Sequence, residues 1–268
     1  MKKLVAIILA GLMLLSLVAC GAKDDVVKFG VLEIESSGAN KAHDSAHSEL
    51  ESPEYTYYKN LSTALMDLNS GKITVLCLEE ASAAYVVARN DKLAIADTGD
   101  EAFNVDFSMM TMENNKEVYD ILNNAIKEMK ADGTLATLIE NELKAYINSD
   151  PETKELPKFD GAKTIKVGVT GDVPPMDFVA SNGKAAGFNI ALLAEIANRA
   201  QVNIELVQVD TDARAMALSS GNVDAVFWTK SVTCSKCNES WGESIDDTLV
   251  TESYFTDKSA FVVLKSDK

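Results

Sequence analysis

Two closely spaced pairs of potential ligands stand out in this sequence of 268 residues. Cys234 and Cys237 form a Cys-x-x-Cys, which outside the cell serves a local disulfide and in a reducing compartment serves redox or metal chemistry. A single such pair is a weak zinc signal, so a disulfide, free thiols and a metal or redox role stand in that order. His43 and His47 lie four apart with Asp44 beside them, a spacing that puts both imidazoles on one helix face and that zinc accepts. No third ligand accompanies them, and a solvated face is the favoured reading, so no metal and no cofactor are expected. Tyr55, Tyr57 and Tyr58 offer ring surface for stacking a sugar, but their alternation fits core packing better. Three arginines (Arg89, Arg199, Arg214) and two histidines leave little for arginine-rich anion sites. No serine, histidine and acid set supports catalysis, and the chain is not expected to be an enzyme.

The elements that must position these groups read as an alternation of strands and helices. Val26 to Ile34 alternates and is β-branched, a strand signal. A polar helix is expected over 39–50 and a short strand over Tyr55 to Tyr58. Asn60 caps a helix carrying Leu61, Ala64, Leu65 and Leu68, which Gly71 ends. Ile73 to Leu78 is a continuous apolar run, as in a parallel strand buried on both faces; Cys77 within it reads as a small hydrophobe. Ala81 to Arg89 reads as a helix, Val105 to Met112 as a strand, and Asn115 to Lys130 and Leu135 to Ile147 as two helices. Residues 148–163 hold two prolines and many charges and read as a linker. Then follow a strand over Thr164 to Thr170, a helix capped by Asn189, a strand over Val202 to Val209, a helix running to Ser220-Gly221, and a buried strand over Val223 to Trp228. Such alternation indicates a mostly parallel α/β sheet. The chain also echoes itself. Leu68-Asn69-Ser70-Gly71-Lys72-Ile73 is matched by Leu218-Ser219-Ser220-Gly221-Asn222-Val223, and Lys28-Phe29-Gly30-Val31 by Lys166-Val167-Gly168-Val169. Two lobes built on one plan are the simplest reading.

The first twenty residues give an address. Lys2 and Lys3 precede an apolar run from Leu4 to Ala19, then Cys20. This describes a secretory signal, and the run is short for a stable span of about 20 apolar residues. The Leu17-Val18-Ala19-Cys20 end resembles a bacterial lipoprotein signal, which implies a lipid on Cys20. Acyl chains contribute about 0.8 kcal/mol per buried CH₂, enough to hold the protein on the outer side of a cell membrane. A formal net charge of −16 argues against nucleic acid, whose phosphates need a basic patch, and with 47% hydrophobic residues it fits a soluble, monomeric domain with a real core.

Three stretches resemble the extracellular solute-binding proteins of family 3, the amino-acid receptors of ABC importers. Val167 to Phe188 is similar to the family's opening strand, double-proline loop and Gly-Phe helix entry. Ala217 to Lys236 is similar to its helix-Ser-Gly-strand unit and Thr-rich turn. Lys130 to Ala136 is similar to its last helical hairpin. The resemblance implies a two-lobed α/β fold of the type 2 periplasmic-binding-protein kind, with mixed, mostly parallel sheets. The order of segments differs from the family's and resembles a circular permutation. On that reading 1–20 is the signal, 21–25 a tether, 26–90 lobe 2, 91–147 the closing part of lobe 1, 148–163 the joint between the family's old termini, 164–254 the main part of lobe 1, and 255–268 the crossover strand into lobe 2. Val262 to Leu264 would then continue towards Val26 to Ile34. Two partial copies fused head to tail are the alternative.

The resemblance also implies a site between the lobes. A free amino acid presents a carboxylate and an ammonium, and charge-assisted hydrogen bonds are the strong ones. The family's arginine after its Thr-x-Thr turn corresponds to Lys236, which keeps the charge but loses the planar fork. The turn corresponds to Ser231-Val232-Thr233, and the acid that takes the amine corresponds to Glu79. The family's stacking aromatics fall at Val173 and Thr211, both small here, while Trp228 beside Thr229 offers a substitute ring. Thr170 and Asp172 line the double-proline loop, and Ser36 and Ser37 follow the first strand of lobe 2. The expected function is capture of a small polar solute, an amino acid or related zwitterion, and its delivery to an ABC permease. A sensing or degenerate binding module of the same fold is the alternative.

Overall fold

The computed structural model describes residues 27–32, 54–96, 104–149, 153–234, 239–242 and 245–265. The helix expected over 39–50, and with it His43 and His47, lies outside the described residues, as do Cys20, Ser36, Ser37, Lys236 and Cys237. No helix among the described residues is long and apolar enough to cross a membrane.

Lobe 2 is built on β1 (Lys28–Leu32), β2 (Glu54–Tyr58) and β3 (Val75–Glu79), which are parallel in the order β2-β1-β3. β4 (Leu93–Ile95) is its edge strand. Helix α1 (Leu61–Asn69) links β2 to β3, and α2 (Glu80–Arg89) follows β3. The start of α1 follows from Asn60, whose side chain accepts from the Thr63 N–H at 2.9 Å. Its inner face buries Leu61, Ala64 and Leu68, each apolar side chain removed from water contributing roughly 1.5–3 kcal/mol. Gly71 then takes φ +74, a left-handed conformation open to glycine at no steric cost.

Lobe 1 repeats this plan. It contains β5 (Asn104–Met112), β6 (Thr164–Val169), β10 (Asn203–Gln208), β11 (Ala225–Cys234) and β13 (Thr248–Val250), ordered β10-β6-β11-β5-β13. Helices α3 (Lys116–Asp132) and α4 (Thr134–Leu138) cover one part of it, α4 running on through a π-helical stretch to Leu143 and a 3₁₀ turn to Ile147. α5 (Phe188–Ala200) and α6 (Arg214–Ser219) cover the rest. A small sheet of β7 (Asp172–Val173), β8 (Asp177–Val179) and β9 (Ala185–Ala186) follows the double-proline loop. β12 (Glu239–Gly242) folds back on β11. The last strand, β14 (Phe255–Leu264), runs antiparallel to β5 from Phe107↔Phe255 to Asn104↔Lys258, then enters lobe 2 between β3 and β4. Lobe 2 therefore reads β2-β1-β3-β14-β4, strand for strand the order of lobe 1.

The repeat holds residue by residue. Gly30 lies opposite Leu76 as Gly168 lies opposite Val226, which aligns the two echoes seen in the sequence. The largest apolar cluster runs from Leu68 and Leu76 in lobe 2, through Val105 and Phe107 on the crossing strand, to Ile165 and Leu192 in lobe 1.

Several expectations need correction. Val262 pairs with Leu76 and Ile95, so the chain's last strand shares a sheet with β1 but β3 lies between them. Ser231-Val232-Thr233 is not a turn: β11 continues through Cys234 because β5 and β12 supply ladder partners on both sides. Asn189 is not the cap of α5. Gly187 takes that place with φ +107, where carbonyls of Pro175 and Met176 crowd any Cβ, and Asn189 lies inside the helix with both amide atoms buried and without a hydrogen-bond partner. β4 belongs to lobe 2, not lobe 1, since it pairs with β14. The segment after 153 is not a loose linker: Leu156 packs on the core, and the Phe159 N–H donates to Asn203 Oδ1 at 2.8 Å.

Candidate ligand cleft

The C-terminal ends of the parallel strands, where ligands of open α/β sheets gather, carry the polar residues of interest. In lobe 1, β6 ends at Val169 and the chain turns through Thr170, Gly171 and Asp172 into the proline pair. Asp177 holds that turn: its buried carboxylate accepts from the Thr170 hydroxyl at 3.1 Å, the Thr170 N–H at 3.3 Å and the Gly171 N–H at 2.5 Å. Asp172 thereby projects towards lobe 2, where its carboxylate accepts from the Leu61 N–H at the start of α1. Burial, and then the charge of Asp177, push the Asp172 carboxyl up to about 6, against the downward pull of the Leu61 N–H and the Thr170 hydroxyl. A second link joins the lobes nearby. Lys59, just before α1, pairs with Asp212, just before α6, at 2.5 Å.

In lobe 2, β3 delivers Glu79 to the junction with α2, where it is 8% exposed. Its side chain does not cap α2. That task falls to Asp257 on β14, which accepts from the Ala81 N–H at 3.0 Å. Burial pushes the Asp257 carboxyl up to about 6; the Ala81 and Lys258 N–H groups pull it down, and the charges of Glu79 and Glu80 add to the rise.

At the crossing of the lobes, Thr229, Ser231 and Thr233 lie opposite Ser108, Asp106 and Asn104. Asp106 accepts from the Thr256 hydroxyl at 2.5 Å. The Thr229 hydroxyl is buried and without a hydrogen-bond partner. Glu79 lies opposite Ser259. Side chains alternate along a strand, so Thr256 and Ser259 fall on opposite faces of β14, and the register does not bring Glu79 to the face of Ser231 and Thr233. It does bring Glu79 and Asp257 to one face. Val173 is packed in the main core. The side chains of Trp228, Thr211 and Cys234 lie outside what the structure describes.

Three residues of this region escaped the sequence reading. Asp177 and Asp257 each accept from backbone N–H groups of another segment, Thr170 and Gly171 for the first and Ala81 for the second. Arg214 is buried and donates to the Phe227 carbonyl at 2.7 Å; its signal was the helical spacing of 214 with buried Ala217 and Leu218. Among the described residues no group of three or more His, Cys, Asp and Glu could hold a metal ion. The arrangement is rich in carboxylates that burial makes costly to ionise, and a cationic group between them relieves that cost.

Residues 165–268 match the family model described as bacterial extracellular solute-binding proteins, family 3. The probable ABC transporter arginine-binding protein ArtJ of Chlamydia trachomatis is 33% identical over 73 residues, 27% of this chain and 28% of that protein; the match spans little more than a quarter of that relative. Among solved structures, the ligand-binding component of an ABC-type import system from Staphylococcus aureus gives a TM-score of 0.44 at 10% identity, over 90% of this chain and 66% of that one. The GluR0 ligand-binding core in complex with L-glutamate gives 0.41 at 11% identity, over 92% and 87%.

Proposed function

We propose that the chain is a member of the bacterial extracellular solute-binding proteins of family 3, whose model matches residues 165–268, and that it captures a free amino acid between its lobes for an ABC importer. The observation that carries this reading is the meeting of strand ends: Asp172 of lobe 1 reaches the first N–H of α1 in lobe 2, so the lobes close on a polar seam. The acids there favour a ligand with a cationic group. L-arginine, whose name the relative carries, is the first candidate. Glu79 and Asp172 receive the cationic groups, Lys236 receives the carboxylate, and Thr170 and the Trp228 ring complete the wall; Ser231, Thr233 and Thr229, on the other face of the sheet, take no part. The protein binds and releases without a chemical step. It acts outside the cytoplasm, held by a lipid on Cys20, and hands its ligand to a permease. The matching strand orders of the lobes and the placement of β14 beside β3 support a circularly permuted two-lobed fold over a fusion of two incomplete copies.

Calorimetric titration of the processed protein with L-arginine, L-glutamine and L-glutamate tests this. Arginine is expected to bind most tightly, and Glu79→Ala or Lys236→Ala to weaken it at least about 10-fold, the loss of one charge-assisted contact. Arginine binding unchanged in both variants would refute the residue assignment. No binding of any amino acid refutes capture itself and leaves the sensing module.

A further inference from the structure

β14 changes lobes between Lys258 and Ser259. Lys258 is the last residue laddered to β5 of lobe 1, opposite Asn104, and Ser259 is the first laddered to β3 of lobe 2, opposite Glu79. Asp257 stands on the lobe 1 side of that step, opposite Val105. Its carboxylate nonetheless serves both sides. One oxygen accepts from the Lys258 N–H at 2.9 Å, along its own strand, and the other accepts from the Ala81 N–H at 3.0 Å, in the first turn of α2. Glu79, the residue before α2, supplies no side-chain cap, so an acid of the crossing strand does that work for a helix of lobe 2. Asp257 and Glu79 also share a face of the sheet, as the register requires.

The surroundings make this bond sensitive to charge. Among the described residues, the charged side chains that act on Asp257 are Glu79 and Glu80, both acids at the start of α2. Along β14 the side chains on its own face are Phe255 and Ser259, and Lys258 points to the other face. The residue opposite on β5 is Val105. An N–H bond to an ionised carboxylate is the stronger kind, but here burial and the like charge of Glu79 oppose ionisation. We propose that Asp257 is a positioning residue: it fastens the first turn of α2, and with it Glu79, to the crossing strand, and a cationic group arriving at Glu79 tightens that fastening. The cation cancels the repulsion, Asp257 gives up its proton to solvent, and a full carboxylate then holds the Ala81 N–H. Because Asp257 is laddered to lobe 1 and Ala81 belongs to lobe 2, the stronger bond opposes rotation of the lobes about the step from 258 to 259. Occupation of the cleft and the angle between the lobes are thereby linked through one side chain, and capture releases a proton as pH passes the Asp257 value of about 6. All of this rests on the reading that Glu79 receives the cationic group of the solute.

The test is a pH titration by NMR of the processed protein with isotopically labelled aspartate carboxyls, the Asp257 signal being identified by its loss in Asp257→Asn. Without ligand its midpoint is expected at about 6, and the Ala81 amide proton, which senses the charge of its acceptor, should follow the same midpoint. Glu79→Gln should lower that midpoint by about half a pH unit, as one nearby like charge is removed. Saturating L-arginine should lower it by a similar amount and leave the Ala81 amide shifted towards its high-pH position. An Ala81 amide that ignores the Asp257 midpoint overturns the fastening. A midpoint unmoved by Glu79→Gln, or unmoved by arginine that binds, overturns its coupling to Glu79. If arginine does not bind at all, the reading of the solute fails, while the Glu79→Gln and Ala81 measurements still decide the role of Asp257. The Ala81 measurement uses the unaltered sequence, so the test stands even if Glu79→Gln does not fold.

Discussion

Thr74 and Asp224 do the same work in the two lobes. The Thr74 N–H donates to the Lys28 carbonyl at 2.8 Å while its hydroxyl accepts from the Lys28 N–H at 2.9 Å. The Asp224 N–H donates to the Lys166 carbonyl at 2.8 Å while its carboxylate accepts from the Lys166 N–H at 2.8 Å. Each clamps the register of a parallel strand pair at its entry. Asp224→Ala should therefore destabilise the protein by about 1–2 kcal/mol in urea unfolding, leaving the Lys166 N–H unpaired. Asp224→Thr, which copies the other lobe, should recover most of that loss. Equal stability of the two variants would show that the clamp contributes nothing.

Closure of the lobes should be separable from their stability. The Lys59–Asp212 pair is exposed, and such pairs contribute about 0–1 kcal/mol. Asp212→Lys should leave the unfolding midpoint nearly unchanged, while repulsion from Lys59 opens the lobes. An increase in the radius of gyration by solution X-ray scattering is the expected readout, and an unchanged radius would remove this pair from the closing contacts.

Two buried carboxyls should mark the pH dependence of stability. Asp172 and Asp257 are each pushed up to about 6 from 3.8. An acid whose folded-state value is raised gives its full stabilisation below the unfolded value, near pH 4, and loses it as pH rises through about 6. Above that the ionised group is a standing cost. Asp257→Asn keeps an acceptor for the Ala81 N–H and removes the charge, so it should stabilise at pH 7.5, by something on the order of 1–2 kcal/mol, and do little at pH 4. Urea unfolding at both values checks the sign.

Among the described glycines, Gly187 should be the least replaceable. Its φ is +107, and an added Cβ would lie 2.5 Å from the Met176 carbonyl oxygen and 2.7 Å from that of Pro175. Both are backbone atoms, so the double-proline loop must shift. Gly187→Ala should cost about 3 kcal/mol or more, strain and clash adding. Gly71→Ala, with nothing within 4 Å of its Cβ, should cost only about 1 kcal/mol. Thermal unfolding of the two variants gives the comparison.

What a residue's own type and neighbours dictate was legible in the sequence. The cap at Asn60, the apolar runs of β3 and β11, the glycine that ends α1 and the echo between the lobes all depend on local spacing, and the structure has them where that spacing puts them. Only tertiary structure decided the rest. Ser231 to Thr233 reads as a turn until β5 and β12 arrive to pair with it, and Asn189 reads as a cap until Gly187 takes that place against the double-proline loop. Asp177 and Asp257 carry no signal in the sequence because the Thr170, Gly171 and Ala81 N–H groups that hold them belong to other segments. A carboxylate's partner, and therefore its burial and its proton affinity, is set by contacts between residues far apart in the chain, which no local pattern carries.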